Sequence, residues 1–364
     1  MNTLTKDERI KGMIYGSALG DAWGYVTEFS RIADILFERP GIPSPLVVTD
    51  DTQMSLYNMK AISDIAETFK SRTDGDVLKA IEGAAVRRQK DVLRIFAHRH
   101  IEYHLDPNNN RAPGIAVSES MDKLNHMDKL NHLVTFSEEF TGREGAEGNN
   151  SKGCGTIMRA PWIGALSISN ESVVNLAMLQ SQTTHDHPVA WLSAGVAALL
   201  IHKILFEQYF DVDFREDPYR CALEALDGIK VITKKNMMFR EIAPHHYTEL
   251  SDLLHNSRNI LEYVLDGRDS VMDLSLVFGE GNTADSLLSC ALAAVAIYHD
   301  RPFEGIQAMV YTDGDSDSIA AVGGSFLGAL NGYDAFEVDI AGQIEPLYTK
   351  ELEEVCDWLT ALAN

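Results

Sequence analysis

The sequence predicts an all-α protein, and three observations predict it. Stretches alternating apolar and polar residues are sparse, while apolar residues recur at intervals of three and four. Segments rich in Ala and Gly, such as Ser286–His299 and Ile319–Leu330, suit helices that approach one another closely. No linker divides the chain, so its helices are expected to share one core.

Each element follows from its own residues. Met54, Tyr57, Ala61 and Ile65 share one face of a helix that follows Thr49-Asp50-Asp51-Thr52. His98, His100 and His104 also fit a helical pattern. His100 and His104 have the spacing of a zinc pair, but the surrounding residues are not His-Glu-x-x-His and no third ligand is evident. These read as surface or partly packed histidines. Asp106–Asn110 is a loop by composition. Met121–His126 is repeated at once as Met127–His132, a copy too short for a solenoid. Met121, Leu124, Met127, Leu130 and Leu133 recur every three residues, which predicts a lengthened helix. Thr141–Gly155, with five Gly and no apolar periodicity, is a second loop. Val189–Phe206 reads as a strongly apolar helix with Pro188 in its first turn. His245 and His246 carry no assigned role.

Composition narrows the function. At 364 residues and 45% hydrophobic content the chain can bury a full core. The runs Ala291–Ile297 and Ile319–Leu330 are too short to span a bilayer, and the N-terminus lacks the layout of a signal peptide. Cys154, Cys221, Cys290 and Cys356 form no Cys-x-x-Cys pair, which fits a reducing compartment, the cytoplasm by default. A net charge of −23 disfavours general nucleic-acid binding, which needs a basic surface to neutralise phosphates. No nucleic-acid or membrane partner is expected.

Two acidic clusters carry the chemistry. Thr49-Asp50-Asp51-Thr52 and Asp315-Ser316-Asp317-Ser318 each pack carboxylates beside hydroxyls, 265 positions apart, and each precedes an apolar helical stretch. One carboxylate at a helix start needs no explanation, and capping would account for it. Two such pairs repel, and hard divalent cations shared between them would relieve that repulsion, because magnesium, manganese and calcium prefer these oxygen donors. A two-metal site closed by tertiary folding is therefore expected.

Five segments in this order resemble the ADP-ribosylglycohydrolase family. They are Gly16-Ser-Ala-Leu-Gly-Asp21 through Glu28, Thr49–Thr52, Gly153-Cys-Gly-Thr-Ile-Met-Arg159, Thr184-His-Asp-His-Pro188 and Gly314-Asp-Ser-Asp-Ser318. The resemblance spans about residues 12 to 332. It implies a single compact orthogonal multi-helix domain over 1–364, with 1–11 as a short N-terminal extension and 115–150 as a variable insertion. Gly-Cys-Gly, Asp-Ser-Asp-Ser, Thr-His-x-His-Pro and Arg111-Ala-Pro-Gly114 are most similar to the branch that acts on ADP-ribosylarginine.

Residue by residue, the resemblance implies one metal on Thr49, Asp50, Asp51 and Asp317, and a second on Asp315, Asp317 and Ser318, with Asp317 bridging. The ions would be two Mg2+, with Mn2+ accepted by the same donors. Ser318 stands where Thr is commoner and keeps the hydroxyl. Glu28 matches the family glutamate near the metals. Gly153, Cys154, Gly155 and Thr156 would lie along a bound diphosphate, whose charge the loop amides could cradle. His185 would lie beside the nucleotide, and His187 would simply precede a helix. Arg159 would approach phosphate or, by preference, support structure, and Cys154 is a packed thiol rather than a nucleophile. Asp313 departs from the pattern, which has Gly there; it could strengthen metal binding, reshape the loop or face solvent.

The implied reaction is hydrolysis of the N-glycosidic bond of ADP-ribosylarginine on proteins. Asp50 or Asp51 is the expected proton carrier, with Glu28 as rival. The alternatives are another ADP-ribose linkage (serine, or O-acetyl-ADP-ribose) and an immunity protein that binds and occludes an ADP-ribosyltransferase toxin. The implied partners are an ADP-ribosylated protein and such a toxin.

Overall fold

The longest apolar stretch becomes the centre of the molecule. In the structure, a computed structural model that describes residues 4–71, 75–109, 111, 113–131, 140–266 and 274–364, the helix Pro188–Phe206 begins with its proline in the first turn. It packs against the helices Asn170–Gln182, Pro218–Thr233, Pro244–Asp266, Ala284–Tyr298 and Ser316–Asn331. Its 19 residues are long and apolar enough to cross a membrane, contrary to the reading from shorter runs, yet nearly all of them are buried in protein. A helix hydrophobic all round belongs in such a place. The described residues hold no strand, only isolated bridges at Leu46–Ile344 and Gly153–Thr283. The architecture is all-α, as predicted.

Small residues set the closest packing. Gly12, Gly16, Gly20 and Gly24 form one stripe along the first helix, Lys6–Gly24, and face Ala320, Gly324 and Gly328 on Ser316–Asn331. A Cβ on Gly20 would sit 2.0 Å from the Ala320 carbonyl oxygen, and one on Gly324 would sit 2.2 Å from the carbonyl of Gly16. With no side chain between them the backbones touch, and the start of one helix is drawn to the end of the other. That contact carries Asp21 toward Asp317.

Residues 6–11 belong to the first helix. A capping box starts the helix at Thr5: Glu8 N–H donates to the Thr5 hydroxyl at 3.2 Å, and Thr5 N–H donates to Glu8 Oε2 at 2.7 Å. Arg9 then donates to Ala329 O at 3.0 Å and pairs with Asp211 at 2.8 Å, and Ile10 is wholly buried.

The described part of the duplicated region, residues 121–131, lies in the helix Ile115–Asn131, in accord with a lengthened helix. Met121 and Leu124 are buried in a second apolar cluster with Met54, Tyr103, Val117, Phe140 and Met158. The second-copy positions Met127, Leu130 and Leu133 lie outside the described side chains. Beyond that helix, Arg143 pairs with Asp186 at 2.5 Å and packs over the Trp191 ring, so the segment around Arg143 is bound to the turn that carries His185.

Candidate metal centre

Both acidic clusters open helices. Thr49 precedes the helix Asp50–Phe69, and Asp315 precedes Ser316–Asn331, so Asp50, Asp51 and Asp317 occupy electropositive first turns. Thr49 makes no side-chain cap of its own. Asp21 caps from the first helix instead: its carboxylate accepts the Thr49 and Thr52 amides at 3.0 and 3.1 Å and both hydroxyls at 2.5 Å. The Arg111–Glu345 ion pair braces the same segment, because Arg111 also donates to Val48 O and Glu345 accepts Val48 N–H at 3.1 Å.

The clusters meet through Asp317. Oxygens of Asp21, Asp51 and Asp317 lie within 4.8 Å of one another, as do those of Glu28, Asp315 and Asp317. The expected bridging position is thus the residue common to both groups. Asp51 Oδ2 accepts the Ser318 hydroxyl at 3.2 Å, but its buried Oδ1 has no hydrogen-bond partner. An orphaned carboxylate oxygen within an all-oxygen set fits a hard divalent cation.

Burial and crowding set the electrostatics. Burial, then the neighbouring carboxylates, holds Asp50, Asp51 and Asp317 well above the usual carboxylate range. Glu28 is pushed up to about 7 by burial, then by Asp315 and Asp21. Next to it, Phe29 has a left-handed backbone (φ 52°) and donates its N–H to Gly314 O at 2.8 Å, tying the Glu28 segment to the second cluster.

These carboxylates line a cavity of about 480 Å³. Glu28, Asp50, Asp51, Asp315, Asp317 and Ser318 form its acidic side. Gly153, Cys154, Gly155 and His185 also line it, as do residues 113–117. Thr49 and Thr156 are not in this wall. The Thr49 hydroxyl goes to Asp21, while the Thr156 hydroxyl turns inward to Ala190 O at 3.1 Å.

The glycine loop is shaped by His185. A Cβ on Gly153 would lie 2.8 Å from His185 Nε2, and one on Gly155 would lie 3.0 Å from Cε1, so the ring needs both glycines. The Gly153 amide donates to Ser151 Oγ at 3.2 Å and that of Cys154 to Asn282 O at 3.2 Å, which leaves less of the loop for an anion than the sequence suggested. Cys154 donates its thiol to Asp315 Oδ2 at 2.9 Å, and burial followed by Asp315 pushes the thiol up, so it stays protonated.

The remaining polar residues are structural. Arg159 is wholly buried and donates to Gln180 Oε1 at 2.5 Å and to Thr184 Oγ1 at 2.8 Å; burial lowers it to about 9. His100 is fully buried, rather than partly packed, between Thr183 Oγ1 at 2.8 Å and Asn58 Oδ1 at 2.9 Å. His187 accepts Val189 N–H at 3.2 Å and so caps the central helix. Asp313 donates its amide to Ser275 Oγ at 2.9 Å and does not line the cavity; the positive φ of the loop falls on Gly314. The residue that sequence reasoning missed is Asp21. It sits in a motif segment, and its one signal was a carboxylate within a run of small and apolar residues.

Comparison with known proteins agrees with this geometry. A family model described as ADP-ribosylglycohydrolase matches residues 2–364. The chain is 27% identical over 212 residues to a protein named ADP-ribosylhydrolase ARH1 from Dictyostelium discoideum, a match covering 55% of this chain and 48% of that protein. The chain thus spans about half the length of that curated relative. A solved structure described as an ADP-ribosylglycohydrolase-related protein complex has the same fold, with a TM-score of 0.61 at 19% identity and 99% of each chain covered.

Proposed function

The chain belongs to the ADP-ribosylglycohydrolase family, and from that premise we propose that it hydrolyses the N-glycosidic bond joining ADP-ribose to arginine on modified proteins. The observation that carries the reading is the pair of carboxylate groups sharing Asp317 at a cavity that His185 also lines.

Asp21, Glu28, Asp51, Asp315 and Asp317, with Asp50 and the Ser318 hydroxyl beside them in the cavity wall, form a donor set for two divalent cations, magnesium or manganese, whereas the Thr49 hydroxyl is given to Asp21. Such ions, when bound, supply a water of lowered pKa and a grip on ribose hydroxyls. The chain's own residues do the rest. Positive charge builds on the sugar as the C–N bond breaks, and the acidic wall stabilises it. Guanidine leaves readily only when protonated. Asp50 and Asp51 are the expected proton carriers, with Glu28, half-buried in the cavity lining, as the rival.

Release of ADP-ribose from an arginine-ADP-ribosylated protein tests the proposal, first with magnesium and then with excess chelator. Metal-dependent release supports linkage and cofactor together. Release only from serine-linked protein or from O-acetyl-ADP-ribose would move the assignment to that linkage. Asp50→Asn and Asp317→Asn should each lose turnover while staying folded, and full activity in either would refute the metal centre.

A further inference from the structure

We propose that Thr184, held by Arg159, is a positioning residue that fixes His185 as a neutral ring with its proton on Nε2, so that the ring offers an N–H donor to an oxygen acceptor of the ADP-ribosyl group. The ligand in this statement rests on the functional reading above; the position of the proton does not.

Counting donors and acceptors around one hydroxyl gives the argument. A threonine hydroxyl has one proton to give and two lone pairs to accept with, whereas a guanidinium only donates. Arg159 Nη2 lies 2.8 Å from Thr184 Oγ1 and so occupies a lone pair there. His185 Nδ1 also lies 2.8 Å from that oxygen. The other acceptor within reach of the Thr184 proton is Ser181 O, at 3.5 Å, and that carbonyl already accepts the Thr184 and His185 amides at 3.2 and 3.1 Å. The hydroxyl proton therefore goes to Nδ1, which must accept. A neutral imidazole that accepts at Nδ1 carries its hydrogen on Nε2.

The surroundings hold this arrangement. Arg159 cannot reverse its role, and its guanidinium is kept in place by Gln180, at 2.5 Å to Oε1 and 3.1 Å to the backbone carbonyl. Trp191 fixes the backbone of the ring from behind, donating to His185 O at 2.7 Å. The buried cation also opposes a second positive charge on the imidazole, and burial with Arg159 lowers His185 to about 3. A donor already polarised by a cation behind it is stronger than an isolated one. Nε2 lies beside Gly153, and both residues line the cavity; the proposed donor role places a substrate oxygen there.

Nitrogen NMR of the protein labelled with 15N-histidine reads the tautomer directly, with H185N assigning the signal. In wild type, His185 should show a protonated Nε2 and an unprotonated Nδ1, and T184S should keep this pattern. T184V should lose the single tautomer and bind ADP-ribose up to about tenfold more weakly, the loss of roughly one hydrogen bond. A protonated Nδ1 in wild type overturns the proposal, and that measurement needs no variant to fold. With the Nε2 proton observed, a wild-type His185 signal that moves on adding ADP-ribose supports the donor role. A signal that stays still while ADP-ribose binds overturns that role. Complete failure to bind ADP-ribose would instead refute the functional reading and leave the tautomer standing.

Discussion

Asp21 holds Thr52 by both of its donors, the amide at 3.1 Å and the hydroxyl at 2.5 Å, from a helix 31 positions earlier in the chain. A helix that opens on two repelling carboxylates thus takes its cap from outside. The same carboxylate stands within 4.8 Å of Asp51 and Asp317, so it both builds the helix start and adds to the charge that cations must neutralise.

Asp21→Asn should therefore act on stability and on metal affinity at once. Replacing one acceptor oxygen by a donor breaks bonds to Thr49 or Thr52 and should cost about 1–3 kcal/mol. Urea denaturation in chelator measures this part alone. An unchanged midpoint there would refute the capping role, and calorimetric titration with magnesium should show weaker binding.

Two glycine substitutions of opposite sign test the helix seam. Gly20→Ala would put a methyl 2.0 Å from a backbone carbonyl that cannot move independently, and should destabilise by about 3 kcal/mol or more. Gly228→Ala, at an exposed helical position with nothing within 4 Å of the new methyl, should stabilise by about 0.5–1 kcal/mol. Similar thermal midpoints for the two variants would contradict the packing described.

Stability without metal should fall as pH rises. Glu28 moves from an ordinary 4.5 to about 7, and Asp50, Asp51 and Asp317 are raised as well, so the folded protein keeps protons that the unfolded chain has released. The Glu28 contribution is complete below about 4.5 and is lost as pH passes 7. Melting in chelator between about pH 5 and about pH 8 should show a declining midpoint, less steep in Asp317→Asn. Magnesium should restore more stability at the upper pH, because cations bind the ionised carboxylates. A midpoint that climbs with pH in chelator would contradict the crowding.

Asp313→Gly should leave kcat/KM within about twofold and cost no more than about 1 kcal/mol, the entropy of an added glycine. Asp313 lies outside the cavity wall and does not carry the positive φ of its loop. A large loss of activity would place its carboxylate in the metal set after all.

What the sequence disclosed was local. Asp50, Asp51, Asp315 and Asp317 were legible because carboxylates beside hydroxyls at helix starts form a short-range pattern, and their convergence followed from shared repulsion. The central helix was legible over its full length from its apolar run and from Pro188 in its first turn. Asp21 was not legible as a cap, because the amides it accepts belong to another helix. Thr156 shares a motif with four wall residues, yet its hydroxyl meets Ala190 O, and no spacing in sequence tells which way a side chain in a tight turn will point. Residues 6–11 preceded the recognisable motifs, and their place in the first helix comes from the Thr5 cap and the Arg9 contacts.

The glycine seam also fixes a timetable. The first helix is synthesised early, but the surface made to receive it, Ser316–Asn331, arrives some three hundred residues later. Until then a nascent chain carries a helix whose packing face has almost no side chains, and its first acidic cluster has only half of its partners. Such long-range closure is slow to find, because the loop entropy is lost before the contact is gained. A ribosome-bound chain stopped before residue 316 should bind no magnesium at this centre and should leave the first helix open to protease, whereas the full chain protects it.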